Sequence, residues 1–337
     1  MDIEMLQERA RIIRQVRSFF DRKNYLELDT PLLSPDLIPE SCLEVFETTR
    51  LAPPGSSFIS KPYWLIPSPE IWMKRIIAQH RVNVYQVCKC FRNGESSGHL
   101  HSPEFTMLEY YTMDADYLDS LSLTEELFAN LAETPKLKPP FERITVAEAF
   151  ARWAGFDLYK AAEAKGGMEA EARRLGLAPP ADLGVPALYD LIFIHAVEPR
   201  LKADKPIALL DYPAFVPCLA RQNAGGKTVE RWELYFNGIE LANCYSEETD
   251  PQKVKYFFES EAAAREQTAL VHHKVDHDYW KMFLPRAENA HTKDAGHAPA
   301  ATGFPRCSGV ALGLDRLIMA LTARSTIDSV LPFPTNN

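Results

Sequence analysis

The sequence predicts an α+β fold, an antiparallel sheet flanked by helices, and three observations carry that expectation. Asn237-Gly238 between two apolar runs is a strong signal for a tight β-hairpin. Residues 82–92 and 105–111 read as strands around a polar loop, a second hairpin with a long tip. Helical segments precede, separate and follow these strands instead of alternating with them one for one, which argues against a regular βαβ arrangement.

Taken in order, residues 9–23 read as an amphipathic helix. Ile12, Ile13, Val16, Phe19 and Phe20 recur at helical spacing, with Arg11, Arg14, Arg17 and Arg22 between them. Residues 25–30 alternate like a strand and end at Pro31, which cannot donate to a central ladder. Pro31, Pro35 and Pro39 mark an extended stretch, and residues 53–57 read as a loop. Residues 63–67 form a short strand. A helix is expected next, with Ser68 as N-cap, Pro69 at its first position and Glu70 in its first turn. Residues 114–200 read as mostly helical, a helical insertion with breaks at Pro180 and Pro186. Strand character returns at 208–212 and 231–241, residues 250–285 read as helical, and residues 286–306 as a mobile loop. Residues 309–321 run as a strand through Gly313 into an apolar helix.

The chain has 337 residues, 46% hydrophobic and 25% charged, and is therefore globular and not disordered. No apolar run approaches the ~18–20 residues that span a bilayer. The first eight residues are acidic and lack an apolar signal core, so no membrane association is expected and the cytoplasm is the expected compartment. Six cysteines in so long a chain do not make a disulfide framework. The balance of 37 basic and 46 acidic residues, formally −9, argues against a large polyanion as the main partner.

Three constellations suggest chemistry. In the Asn237-Gly238 hairpin, Tyr235 faces Glu240, so Glu233 is diagonal to Glu240 on the same face. Two neighbouring carboxylates there either form a solvated sheet face or hold a hard divalent cation such as Mg²⁺, which takes one or two carboxylates plus phosphate oxygens. Asn243 falls on the opposite face in a simple register and needs a bulge to join them. On the strand at 105–111, Phe105, Met107, Glu109 and Tyr111 share a face, where Glu109 and Tyr111 suit an ammonium ligand or merely face solvent. Arg316 falls in the first turn of a helix. The dipole disfavours a cation there, so Arg316 either meets a bound anion or is a plain surface arginine. Three features are set aside. Gly226-Lys227-Thr228 lacks the first glycine of a phosphate loop, since position 221 is Arg221. Cys88-Lys89-Cys90 has the wrong spacing for zinc, and His272, His273 and His277 have no accompanying carboxylate or cysteine frame.

Taken together, these segments resemble the catalytic core of class II aminoacyl-tRNA synthetases, in the lysyl branch. The first family motif is matched by residues 9–31, ending Glu27-Leu28-Asp29-Thr30-Pro31. The second is matched by Phe91-Arg92-Asn93-Gly94-Glu95 through His101-Ser102-Pro103-Glu104-Phe105-Thr106-Met107-Leu108-Glu109-Tyr110-Tyr111, and the third by residues 309–316. Ser68-Pro69-Glu70 and Gly238-Ile239-Glu240-Leu241-Ala242-Asn243 match two further signatures. Within the branch the chain is most similar to stand-alone paralogues that modify elongation factor P. The core begins near residue 9, so no N-terminal anticodon-binding domain is expected, and Ala311 stands where the synthetases usually carry glycine.

The resemblance implies one catalytic domain over 1–337 and an ATP-dependent ligase. The enzyme would activate lysine or (R)-β-lysine as an adenylate and pass it to a lysine of elongation factor P, with Mg²⁺ as cofactor and a homodimer formed through the first motif. It implies that Arg92 binds the α-phosphate, that Glu95, His101 and Phe105 hold ATP, and that Arg316 meets the γ-phosphate. Glu233 and Glu240 would hold the metal, with Glu240 and Arg316 joining Arg92 as catalytic groups. Glu70 would meet the substrate amino group and Asn243 its carboxylate, with Glu109, Tyr111 and Glu247 around the side-chain ammonium and Ser68 and Ala311 shaping the pocket. A truncated lysyl-tRNA synthetase charging tRNA and a catalytically inactive binding protein are the competing expectations.

Overall fold

The computed structural model describes residues 2–94, 98–285 and 303–334. Its first helix, α1 (Ile3–Arg22), begins six residues earlier than the apolar spacing predicts, because the Asp2 side chain accepts from the Glu4 and Met5 amides and caps it. After it come β1 (Leu26–Glu27), β2 (Leu33–Ser34), β3 (Glu47–Arg50), β4 (Lys61–Leu65), α2 (Glu70–His80), β5 (Val84–Phe91) and β6 (Glu104–Met113). The middle of the chain forms α3 (Tyr117–Leu131), β7 (Glu142–Thr145), α4 (Val146–Ala149), α5 (Leu158–Glu163), α6 (Gly167–Arg174), α7 (Val185–Ile192), β8 (Ile207–Pro213), β9 (Thr228–Phe236) and β10 (Ile239–Ser246). It ends with α8 (Pro251–Thr268), β11 (Cys307–Gly313) and α9 (Leu314–Leu321). The loop expected at 286–306 lies outside the described residues up to 302.

The chain divides into two compact units. One comprises Met1–Ala115 and Glu247–Asn337, the other Asp116–Ser246. In the first unit, strands run in the order β1–β5–β6–β11, and β5–β6 and β6–β11 are antiparallel. β1 pairs parallel to β5 through Leu26 and Glu27 only, so the alternation at 25–30 yields a short strand. The chain then turns away at Pro31. α1 covers one face of this sheet. Its Phe20 ring lies 4.8 Å from Tyr85 and 4.9 Å from Tyr110, centroid to centroid, and is fully buried. Burying such a ring contributes roughly 1.5–3 kcal/mol. A smaller antiparallel sheet, β2–β4–β3, lies within the same unit.

In the second unit the order is β10–β9–β8–β7, antiparallel except for the β7–β8 pair. Asn237 and Gly238 both have positive φ, 51° and 78°, the conformation of a type I′ turn. One face of this sheet packs Ile207, Leu209, Tyr212, Val229 and Tyr235 against α4, α6 and α7.

A buried carboxylate cluster and two carboxylate-bearing strands

The β5–β6–β11 face opposite α1 carries the first group of candidate residues. Period-two alternation puts Phe105, Met107, Glu109 and Tyr111 on one side of β6. Across the ladder on β11 stand Gly313 opposite Met107, Ala311 opposite Glu109 and Gly309 opposite Tyr111. The smallness of these partners makes room for the larger side chains. A Cβ at Gly309 would fall 2.4 Å from Tyr111 Cε1 and 3.0 Å from Glu247 Oε1, so that position must stay bare.

α2 supplies the facing wall. Its hydrogen-bonded turn starts at Glu70, one residue beyond the expected start, with Pro69 at the cap. Ser68 still serves the helix end, because its Oγ accepts from the Glu70 amide at 3.0 Å. The same hydroxyl donates to Glu109 Oε1 at 2.5 Å. One turn along, Lys74 is 1% exposed, and its Nζ lies 2.5 Å from Glu70 Oε1 and 2.7 Å from Glu247 Oε2. The other oxygen of Glu247, Oε1, is buried with no hydrogen-bond partner. The Tyr279 hydroxyl is likewise buried without a partner and is raised by burial, with Glu70 and Glu247 adding to the effect.

Electrostatics follow from this packing. Burial pushes Glu109 well above the ordinary carboxylate range, and the nearby Glu70 charge adds to the rise. Burial raises Glu247 to about 7, with the Lys74 ammonium opposing and Glu70 reinforcing it. Glu40 is raised to about 7 by the same two influences, burial first and Glu70 second. Four acids, Glu40, Glu70, Glu109 and Glu247, thus interact here with the Lys74 ammonium, an excess of acid that favours a cationic ligand.

The remaining first-unit candidates fall into two pairs. Arg92 places its guanidinium 5.3 Å from the centroid of the Phe105 ring, and its backbone amide donates to Pro103. Arg316, in the first turn of α9, has one guanidinium nitrogen 3.0 Å from His101 Nε2 and donates through Nε to the Leu100 carbonyl at 3.3 Å. The adjacent Asp315 is buried, paired with Arg9 of α1 at 2.6 Å, and accepts from the Thr106 amide at 2.6 Å. Arg9 also donates to Thr106 Oγ1 at 2.8 Å, so α1, β6 and α9 are tied at one point. Glu95 lies outside the described residues.

In the second unit, Tyr235 pairs with Glu240 as the turn predicts, and a bulge follows. The register shifts by one between Glu240 and Ala242, after which Asn243 stands opposite Glu233. Glu233, Tyr235, Glu240 and Asn243 therefore share one face. The Glu233 carboxylate is already engaged, with Arg231 at 2.5 Å and the Tyr235 hydroxyl at 2.7 Å. Among the described residues no three His, Cys, Asp or Glu side chains converge as a metal cage. Two oxygen donors on one strand pair fit only a hard cation that brings further ligands, as Mg²⁺ with phosphates does.

Ser68, Glu70, Glu109, Tyr111 and Glu247 thus gather in one cluster, while His101 joins Arg316 and Arg92 joins Phe105. Lys74 and Tyr279 are additional members that sequence reasoning passed over. A Glu-Lys pair four apart on a helix ordinarily signals an exposed ion pair, and nothing local marks this one as interior. The six cysteines are free thiols, with Cys88 and Cys90 sulfurs 3.8 Å apart on β5. His272, His273 and His277 line a separate pocket with Arg265 and Lys274. No helix among the described residues is long and apolar enough to cross a membrane.

Residues 3–337 match the family model described as tRNA synthetases class II (D, K and N). Similar relatives carry the name elongation factor P–(R)-β-lysine ligase. That of Mannheimia succiniciproducens is 33% identical, covering 99% of this chain and 96% of its own. That of Avibacterium paragallinarum is 34% identical with the same coverage, and that of Vibrio atlanticus is 34% identical over 98% of this chain and 96% of its own.

Proposed function

The chain belongs to the class II tRNA synthetases of the D, K and N group, and on that footing we propose that it is a ligase that uses ATP to join lysine or (R)-β-lysine to elongation factor P. The observation that carries the reading is the unpartnered Oε1 of Glu247 in a buried cluster already holding Glu70 and Glu109. A diamino acid brings two ammonium groups to such a cluster. An apolar amino acid of equal length leaves the buried oxygen unsatisfied, at a cost of about 1–3 kcal/mol. The names of the relatives support the same substrate and acceptor.

In the first step an oxygen of the amino-acid carboxylate attacks the α-phosphorus of ATP. The bond to the bridging oxygen breaks, pyrophosphate leaves, and a mixed anhydride with AMP forms. Arg92 neutralises charge on the α-phosphate during this attack, and Arg316 with His101 binds the outer phosphates. Positioning and charge neutralisation of this kind supply most of the acceleration in such transfers. Glu70 holds the amino group near the carboxylate, and Glu247, Glu109 and Tyr111 hold the side-chain ammonium. In the second step an uncharged lysine amine of elongation factor P attacks the activated carbonyl. AMP leaves, an amide forms, and the amine proton passes to solvent.

Glu233 and Glu240 are the groups that would hold Mg²⁺, whose charge would offset that of the phosphates. Arg231 is the protein cation that satisfies Glu233 otherwise. The working unit is a homodimer formed through α1, acting in the cytoplasm with elongation factor P.

The test is ATP–pyrophosphate exchange with lysine and (R)-β-lysine, followed by intact mass of elongation factor P after incubation with enzyme, ATP and each amino acid. A mass gain of one residue is expected. Exchange with neither amino acid overturns the reading, and efficient charging of lysine tRNA in its place replaces the acceptor.

A further inference from the structure

Among the described residues, Lys74 is the cation paired inside the carboxylate cluster, and the proposed chemistry does not require its place. It is 1% exposed, and holding its ammonium there is costly unless it is fully paired. The pairing is specific. Nζ meets Glu70, four residues back on α2, and Glu247, which enters from the segment after β10. Each carboxylate commits one oxygen to it. For Glu247 that oxygen is Oε2, and the commitment turns Oε1 toward Gly309 and the Tyr111 ring. The two carboxylates assigned to the substrate's two amino groups are therefore oriented by one resident ammonium.

We propose that Lys74 is a specificity-determining positioning residue, a built-in ammonium that fixes Glu70 and Glu247 and reserves the unpaired Oε1 of Glu247 for the side-chain ammonium of the substrate. This rests on the reading of the cluster as the amino-acid pocket. With Lys74 in place the Glu70–Lys74–Glu247 set carries one negative charge in excess before any substrate binds. Without it the set carries two, in a site where Glu40 and Glu109 add acid groups and Tyr111 and Tyr279 offer only hydroxyls. Glu247 then takes up a proton and ceases to attract an ammonium. Lys74 opposes that protonation directly, since its charge and hydrogen bond both lower the Glu247 pKa.

The experiment compares wild type with Lys74→Met, nearly the same shape without charge, by ATP–pyrophosphate exchange from pH 6 to 9 with lysine and with norleucine, which lacks the side-chain nitrogen. In Lys74→Met at pH 7, KM for lysine is expected to rise by about tenfold or more with kcat nearly unchanged, and the preference for lysine over norleucine to shrink by a similar factor. Raising the pH is expected to restore the preference, with the acid limb displaced upward by about one pH unit. A variant with wild-type KM, preference and limb overturns the proposal. Circular dichroism reports whether the variant folds. If it does not, Glu70→Gln alone and Glu70→Gln with Lys74→Met, the latter restoring the overall charge of the cluster, form the comparison. A raised lysine KM in the pair relative to Glu70→Gln supports the role, and equal values overturn it. Wild type silent with every diamino acid would instead bring down the function reading and this inference with it.

Discussion

Ser68 donates its hydroxyl to Glu109 at 2.5 Å while accepting the Glu70 amide at 3.0 Å, so one side chain both closes the start of α2 and holds a buried acid. The two bonds need opposite roles of the same oxygen, which only a hydroxyl provides at this size. Ser68→Ala removes the helix-end acceptor and leaves Glu109 without its donor. The expected cost is about 1–3 kcal/mol, read as a lower midpoint in urea unfolding at unchanged slope. Ser68→Thr, which keeps the hydroxyl, is expected to recover most of the loss.

Much of this fold is legible from local chemistry, and the gaps have physical reasons. The Asn237-Gly238 turn with its first register pairs and the strand entering α9 through Gly313 follow from turn chemistry and period. The bulge after Glu240 does not, because it is a property of the paired strands, and it moves Asn243 to the face of Glu233. The parallel pairing of β1 with β5 is equally non-local. Within the cluster, Glu109 and Tyr111 stand out as polar groups on an apolar strand. Lys74 does not, since its burial depends on Glu247 arriving from far along the chain.

The raised Glu247 predicts a pH dependence with a definite sign. An acid whose folded pKa lies above its unfolded value binds a proton more tightly when folded. Stability is therefore highest below the unfolded pKa and falls as pH rises from about 4.5 toward 7. For Glu247 the full span is worth roughly 3 kcal/mol, and Glu40 and Glu109 act in the same direction. Thermal midpoints of the ligand-free protein are expected to drop between pH 5 and 7.5, with a shallower drop in Glu247→Gln. If Glu247 meets the substrate ammonium as a carboxylate, lysine binding is expected to have the opposite trend. Its affinity, measured by calorimetry, is expected to improve through pH 7.

Ala311 faces Glu109 across the β6–β11 ladder, and its methyl is the one side chain that β11 presents between Gly309 and Gly313 on that face. Removing it enlarges the floor of the pocket by one methyl beside the groups assigned to the amino acid. Ala311→Gly is expected to change the ratio of kcat/KM for (R)-β-lysine against lysine by about 10- to 100-fold, toward lysine, in exchange assays. An unchanged ratio would mean that this methyl does not touch the substrate backbone. Gly309→Ala is the control of opposite kind. Its Cβ meets Tyr111 and Glu247, and activity with both substrates is expected to fall together.

Arg9 reaches from α1 to the residue beside Arg316. Its guanidinium pairs with buried Asp315 at 2.6 Å and bonds Thr106 Oγ1 at 2.8 Å, while Asp315 takes the Thr106 amide. Asp315 sits in the first turn of α9, so this pair sets where Arg316 leaves the helix. Arg9→Met strands a buried carboxylate, and breaking such a pair from one side costs about 3–5 kcal/mol. The loss of stability alone would not separate support of the site from support of the fold. The discriminating measurement is KM for ATP at a temperature well below the midpoint of the variant. A rise of about tenfold in KM for ATP, with KM for lysine nearly unchanged, is expected if Arg9 acts through Arg316. Equal loss on both substrates would assign Arg9 to folding only.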